Sequence, residues 1–251
     1  MIYLYDGSYE GLLCVIFETF RIKTPATSIV AEEKWKENFF DQPLNIETQP
    51  KIAQRVVKGL INKTSRKASR QLYRCFLSEK DGIEMLIYDY VKKAVTSNFS
   101  IEDNFMDDTV LKLQQIDKMI GREVHRMHAF VRFQQIKDDI FYSVIEPDFN
   151  VLPLITSHFE KRYPAQTWLI YDSKRCYGMF YDQQKTEAVT FAPDNQNQLR
   201  QLPSDILEEQ ELTYQKAWKL YFNHTNIPER KNIKLHLQHV PRRYWKYLVE
   251  K

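Results

Sequence analysis

Near residue 129 the spacing of apolar residues in this chain shortens from about four positions to two, and that switch limits the folds open to it. Before it, apolar residues recur as they do along one helix face: Ile52, Val56 and Leu60, then Ala68, Leu72 and Phe76, then Ile83, Leu86, Ile87, Tyr90, Val91 and Ala94, then Val110, Leu113, Ile120, Val124 and Met127. From Ala129 onward, "AFVRFQQIKDDIFYSVIE" alternates as strands do, and "TWLIYDSKRCYGMFYDQQKTEAVTF" reads as three strands joined by polar turns. Between them "PDFNVLPLITSHFEKRYP" has a helical pattern. The expectation is an α+β protein: a mostly helical region over 1–120, then an antiparallel sheet with a packed helix and C-terminal helices over 121–251. No repeat or low-complexity linker marks the border, so one continuous domain is equally compatible.

Local signals refine the first half. "IYLY", the turn "DGS" and "EGLLCVIFETFRIK" read as strand, turn and helix, with Asp6 or Ser8 as cap. First-turn amides there form a potential anion site, but the segment lacks a full phosphate-binding glycine pattern, so an ordinary strand-to-helix turn is the expected reading. Residues 27–48 suggest one or two short strands. Pro50 opens one helix and Ser65 caps the next; Gly82 precedes a third, and Asp107 or Asp108 begins a fourth. Near the end, Asp205 with Glu208 marks another helix start, its apolar stripe formed by Tyr214, Ala217, Trp218, Tyr221 and Phe222.

A formal net charge of +3 conceals an uneven distribution. Lys51 to Arg74 holds eight bases and no acid, and Thr225 to Lys251 holds seven bases against two acids, leaving −10 for the remainder. Such asymmetry is the footprint of a protein that meets a polyanion, although a charge run is more commonly a solvated face. Arg66, Arg70 and Arg74 recur every four residues, opposite the apolar stripe of their helix. With neighbouring Lys63 they could meet successive phosphates, because a helix repeats such positions at intervals of about 6 Å. In "VPRRYWKYL", Arg242, Arg243 and Lys246 alternate with aromatics, a pattern that suits nucleic acid or a docked terminal helix.

The segment "REVHRMHAFVRFQQ" raises the question of chemistry. On a helix, His125 and His128 share a face with Gly121, and Arg132 follows on what reads as a strand. One histidine could act as acid or base while Arg132 holds an anion, with Asp172 as a further member of the pocket. The structural alternative places His125 in solvent, His128 at the helix end and Arg132 beside a carboxylate such as Asp172. A metalloprotease helix needs HExxH, whereas this spacing is HRMH, and His158, His224, His236 and His239 are remote in sequence. No metal is expected. Tyr142, Trp168 and Tyr171 are candidates for base stacking, with core packing the commoner role of such rings.

Three scattered cysteines form no CxxC pair, and no apolar run is long enough to span a bilayer. The amino terminus also lacks a leader pattern, so a cytoplasmic, non-membrane protein is expected.

The pieces "YDGSYEGLLCVIFETF", "EVHRMHAFVRF", "IEPDFNVLPLITSHFEKRYPAQTWLIYDSKRCYGMFYD" and "HVPRRYWKYLVE", in this order and covering nearly the whole chain, resemble a bacterial family of DNA-metabolism and DNA-repair-associated proteins. Members are associated with a radical-SAM protein, and some relatives carry a uracil-DNA glycosylase domain after this region. The resemblance implies DNA and a radical-SAM protein as partners, with this chain as the substrate-recognition component. Because the chain lacks a three-cysteine cluster and stops after "PRRYWKYLVEK", no cofactor of its own and no fused glycosylase are expected; iron–sulfur chemistry would reside in the partner. The alternative is an enzyme acting directly on a base or phosphodiester through His125, His128, Arg132 and Asp172.

Overall fold

A computed structural model describes residues 1–37, 41–191, 207, 211, 214, 215, 217, 237 and 240–248. The chain divides into two compact units, Met1–Gly121 and Arg122–Lys251. Each has its own sheet, and the fold is α+β.

The first unit is built around β1 (Ile2–Tyr5), which lies between β2 (Ser28–Ala31) and β3 (Leu44–Asn45) in a parallel three-stranded sheet. The helix α1 (Tyr9–Arg21) provides the crossover from β1 to β2, as parallel pairing requires. Ser8 caps α1 by accepting from the Gly11 amide at 2.9 Å. Asp6 in turn accepts from the Ser8 amide and hydroxyl and from Thr48 Oγ1. Burial alone would raise the Asp6 pKa, but these hydrogen bonds hold it below the usual carboxylate value. The charge at this helix start is therefore the protein's own carboxylate, and a bound anion would have to face it.

Four more helices complete the unit: α2 (Pro50–Lys63), α3 (Arg66–Phe76), α4 (Ile83–Thr96) and α5 (Asp108–Phe130), which continues into the second unit. Their starts follow from the sequence. Pro50 occupies the first turn of α2, Ser65 Oγ accepts from the Ala68 amide, Gly82 adopts φ 77° before α4, and Asp107 Oδ1 accepts from the Thr109 and Val110 amides. The apolar stripes face inward: Leu60, Leu72, Ile87, Val91, Val110 and Leu113 all join the core beside β1 and α1.

In the second unit, five strands run in the order β4 (Gln134–Ile136), β5 (Ile140–Ile145), β6 (Thr167–Asp172), β7 (Tyr177–Tyr181) and β8 (Thr186–Thr190). Three of the four pairings are antiparallel, but β5 and β6 are parallel, because α6 (Leu152–Arg162) lies between them in sequence and returns the chain to the same end of the sheet. The expected all-antiparallel sheet is therefore mixed. A second difference lies at the helix-to-strand switch. The helix does not stop before Ala129: the Val131 amide donates to the Met127 carbonyl at 3.1 Å, α5 extends to Phe130, and regular strand begins only at Gln134. The terminal helix expected from Asp205 with Trp218, Tyr221 and Phe222 lies outside the described residues, apart from Tyr214 and Ala217.

Gly11 offers a local test of this packing. A Cβ there would lie 2.3 Å from Asp6 Oδ1 and 2.7 Å from Thr48 Oγ1. Alanine normally improves a helix interior by about 1 kcal/mol over glycine, yet here it must break the Asp6–Thr48 bond or shift the turn. Gly11→Ala is expected to destabilise the protein by about 1–3 kcal/mol in urea unfolding, against the helix-propensity trend.

Candidate functional site

The cations of α2 and α3 form the first candidate. Lys51, Arg55, Lys58, Lys63, Arg66, Lys67 and Arg70 are all exposed, and no acid interrupts them in sequence. Arg74 differs from Arg66 and Arg70. Its Nε lies 2.8 Å from Asp117 Oδ1 on α5, its Nη2 donates to the Asp117 carbonyl, and the pair is half-buried. Burial raises the Asp117 pKa against the pull of Arg74. The expected arginine stripe is thus two exposed guanidinium groups followed by one that braces α3 against α5.

Among the described C-terminal bases, Arg243 and Lys246 are also engaged. Residues Arg242–Tyr247 form a 3-10 turn whose Tyr244 and following Leu248 are buried. Tyr244 donates its hydroxyl hydrogen to Glu123 Oε1 at 2.7 Å. Glu123, only 1% exposed, also accepts from the Asp148 amide at 3.0 Å and from Arg243 at 3.2 Å, with Arg126 at 3.4 Å. Arg243 pairs with Asp148 at 2.6 Å, and Lys246 with Glu146 at 2.6 Å. Tyr247 donates to the same Glu146 carboxylate. Arg242 is exposed beside the Trp245 ring. Burial, reinforced by the hydrogen bond to Glu123, pushes the Tyr244 phenol well above its usual value, so it remains a donor. Sequence reasoning missed Glu123, Glu146 and Asp148. The available signal was a carboxylate inside an apolar stripe, since Glu123 stands between Ile120 and Met127 at helical spacing.

The proposed catalytic residues have diverging surroundings. His125 is exposed, whereas His128 is partly buried and stacks on His158 of α6, with ring centroids 4.1 Å apart and planes 19° apart. Burial, then His158 and His125, lowers the His128 pKa, and its buried Nε2 has no hydrogen-bond partner among the described residues. Arg132 is not on a strand; it turns back on α5 and donates to the Ala129 carbonyl at 2.6 Å, serving as a helix-end cap. Asp172, fully buried at the end of β6, takes Arg175 as its cationic partner at 2.8 Å and accepts from the Lys174 and Arg175 amides. Burial raises its pKa, opposed by Arg175. It organises the turn to β7 rather than meeting Arg132.

Tyr142, Trp168 and Tyr171 are buried in the core and cannot serve as exposed stacking platforms. Among the described residues, no group of three or more His, Cys, Asp or Glu side chains is placed to hold a metal, while His224, His236 and His239 lie outside them. No helix among those residues is long and apolar enough to cross a membrane.

Residues 81–250 match the model of a family described as a domain of unknown function, DUF4130. The match spans well over half of the chain, which therefore belongs to that family. The cationic α2–α3 segment precedes the matched region, whereas the Glu123 network lies inside it. No curated protein and no solved structure matches the chain.

Two outcomes follow from the Glu123 network. Glu123→Ala is expected to cost about 3 kcal/mol in urea unfolding, because it leaves the buried Tyr244 hydroxyl and Asp148 amide without their acceptor. Glu146 has a pKa lowered first by the Lys246 hydrogen bond and then by Tyr247. A folded-state pKa below the unfolded value means that stability is present above the ordinary carboxylate range and lost as pH falls through the lowered pKa. Amide signals of Lys246 and Tyr247 should thus stay unchanged from pH 7 to pH 5 and shift only in more acidic solution. Earlier release, in step with an unperturbed glutamate, would contradict the contact.

Proposed function

We propose that this protein binds nucleic acid through the exposed cations of α2 and α3, in the setting of DNA repair. The supporting observation is the uninterrupted basic segment in which seven of eight bases remain exposed, from Lys51 to Arg70, with Arg74 alone held in a half-buried ion pair. Side chains of this kind, repeated about every 6 Å on a helix, suit phosphates rather than base edges. Binding would therefore depend on backbone charge and carry little sequence preference of its own. The C-terminal cations Arg243 and Lys246 contribute less, because each already faces a carboxylate; Lys63, Arg66, Lys67 and Arg70 carry the interaction.

The repair setting, and a radical-SAM protein as the modifying partner that this chain would serve as substrate-recognition component, rest on the family resemblance. Direct catalysis through His125, His128, Arg132 and Asp172 draws less support, since His128 stacks on His158 and Asp172 takes Arg175 as its ion-pair partner.

The test is a salt titration of binding to a short DNA duplex and to a single strand. Affinity should fall linearly with added salt on logarithmic axes. Joint Arg66→Ala, Lys67→Ala and Arg70→Ala substitution should reduce that slope by about 2–3 on duplex, near 0.9 for each phosphate that is no longer neutralised. Absent or salt-insensitive binding to both forms would reject the proposal.

A further inference from the structure

The loop joining α4 to α5 presents an unusual surface. Of the ten large apolar side chains that are exposed among the described residues, five fall between Val95 and Leu111, with Met106 at 95% and Phe99 at 72% exposure. Scattered exposed apolar residues need no explanation, but this concentration in one short segment does. The loop is held in place while these groups point outward. Ile101 is its buried anchor in the core. Ser65 Oγ donates to Glu102 at 2.5 Å, and the Asp107 carboxylate takes Lys93 at 2.6 Å while capping α5. The turn amides of Asn104, Phe105 and Asp107 are bonded within the loop. Phe99, Phe105 and Met106 are thus excluded from the core by a constrained backbone.

Charge defines what this surface can accept. From Ser97 to Asp108 there are four carboxylates and no base, and Asp103 and Asp108 are exposed beside the apolar groups. Like charge from Asp103 and Asp108 disfavours nucleic acid at the loop and favours a cationic partner. We propose that this loop is a docking surface for a protein partner that presents apolar side chains flanked by lysine or arginine. Its contacts join it to the cationic helices: Lys63 reaches the Ser97 carbonyl at 3.5 Å, and Ser65, the cap of α3, holds Glu102. A partner docked here lies at the edge of the surface assigned above to phosphates, and its own bases would face the same polyanion. The docking itself requires no nucleic acid, so it stands or falls separately from that reading.

The experiment titrates the full-length, isotope-labelled protein, without DNA, with a synthetic amphipathic helix of leucine and lysine and with its leucine–glutamate counterpart. The lysine peptide should shift amides from Ser97 to Leu111. Joint Phe99→Ser and Met106→Ser substitution, both at exposed positions, should weaken it about tenfold, the loss expected for two apolar anchors. Shifts mapped elsewhere, equal binding of both peptides at the loop, or unchanged affinity in the double variant would overturn the proposal. So would concentration-dependent self-association abolished by the same variant, which would make a second copy the occupant.

Discussion

A buried carboxylate must be neutralised or richly hydrogen-bonded, and Glu123 shows how much of the second unit follows from that requirement. It receives the Tyr244 phenol, the Asp148 amide and guanidinium contacts from Arg243 and Arg126. The C-terminal turn must therefore lie where Tyr244 can be buried and Arg243 can reach Asp148. Lys246 and Tyr247 then meet Glu146 as the next carboxylate along. Within "VPRRYWKYL", which looks cationic in sequence, Arg243 and Lys246 are counter-charges to carboxylates, while Arg242 stays exposed beside Trp245.

The same distinction between committed and uncommitted charge separates residues of one helix. Arg66, Arg70 and Arg74 are equivalent by spacing, but Arg74 lies far enough along α3 to meet Asp117 on α5. Half-burial gives that pair a structural part, because removing either member leaves its partner partly desolvated without its counter-charge. Arg66 and Arg70 remain in solvent, where isolated surface charges add little to stability. Their concentration without intervening acids therefore contributes little to folding.

Much of the architecture was legible because it rests on short-range rules. Proline in the first turn of α2, serine before α3, glycine before α4 and aspartate before α5 each set a helix start. The junction at Phe130 was less legible because "AFVRF" satisfies both periods: it alternates, yet Met127 and Val131 also stand four apart and are both buried. The backbone bond between them and the Arg132 cap on the Ala129 carbonyl decide for helix. The parallel pairing of β5 with β6 was available from order alone, since a helix between two strands of one sheet favours a crossover.

The candidate site was harder to read, for a different physical reason. Local spacing brings His125 and His128 onto neighbouring turns, but the ring that His128 meets is His158, thirty positions later on α6. Two stacked imidazoles in partly buried surroundings disfavour a second positive charge, in accord with the lowered His128 pKa. Asp172 shows the reverse case: its partner Arg175 is only three residues away, yet the tight turn and burial that join them depend on the pairing of β6 with β7. In both instances residue type and spacing nominate the chemistry, while long-range strand and helix placement selects the partner. The charge run of α3 obeys the same rule: the apolar stripe turns Arg66, Arg70 and Arg74 away from the core, but the placement of Asp117 on α5 decides that Arg74 alone of the three is drawn into a half-buried ion pair.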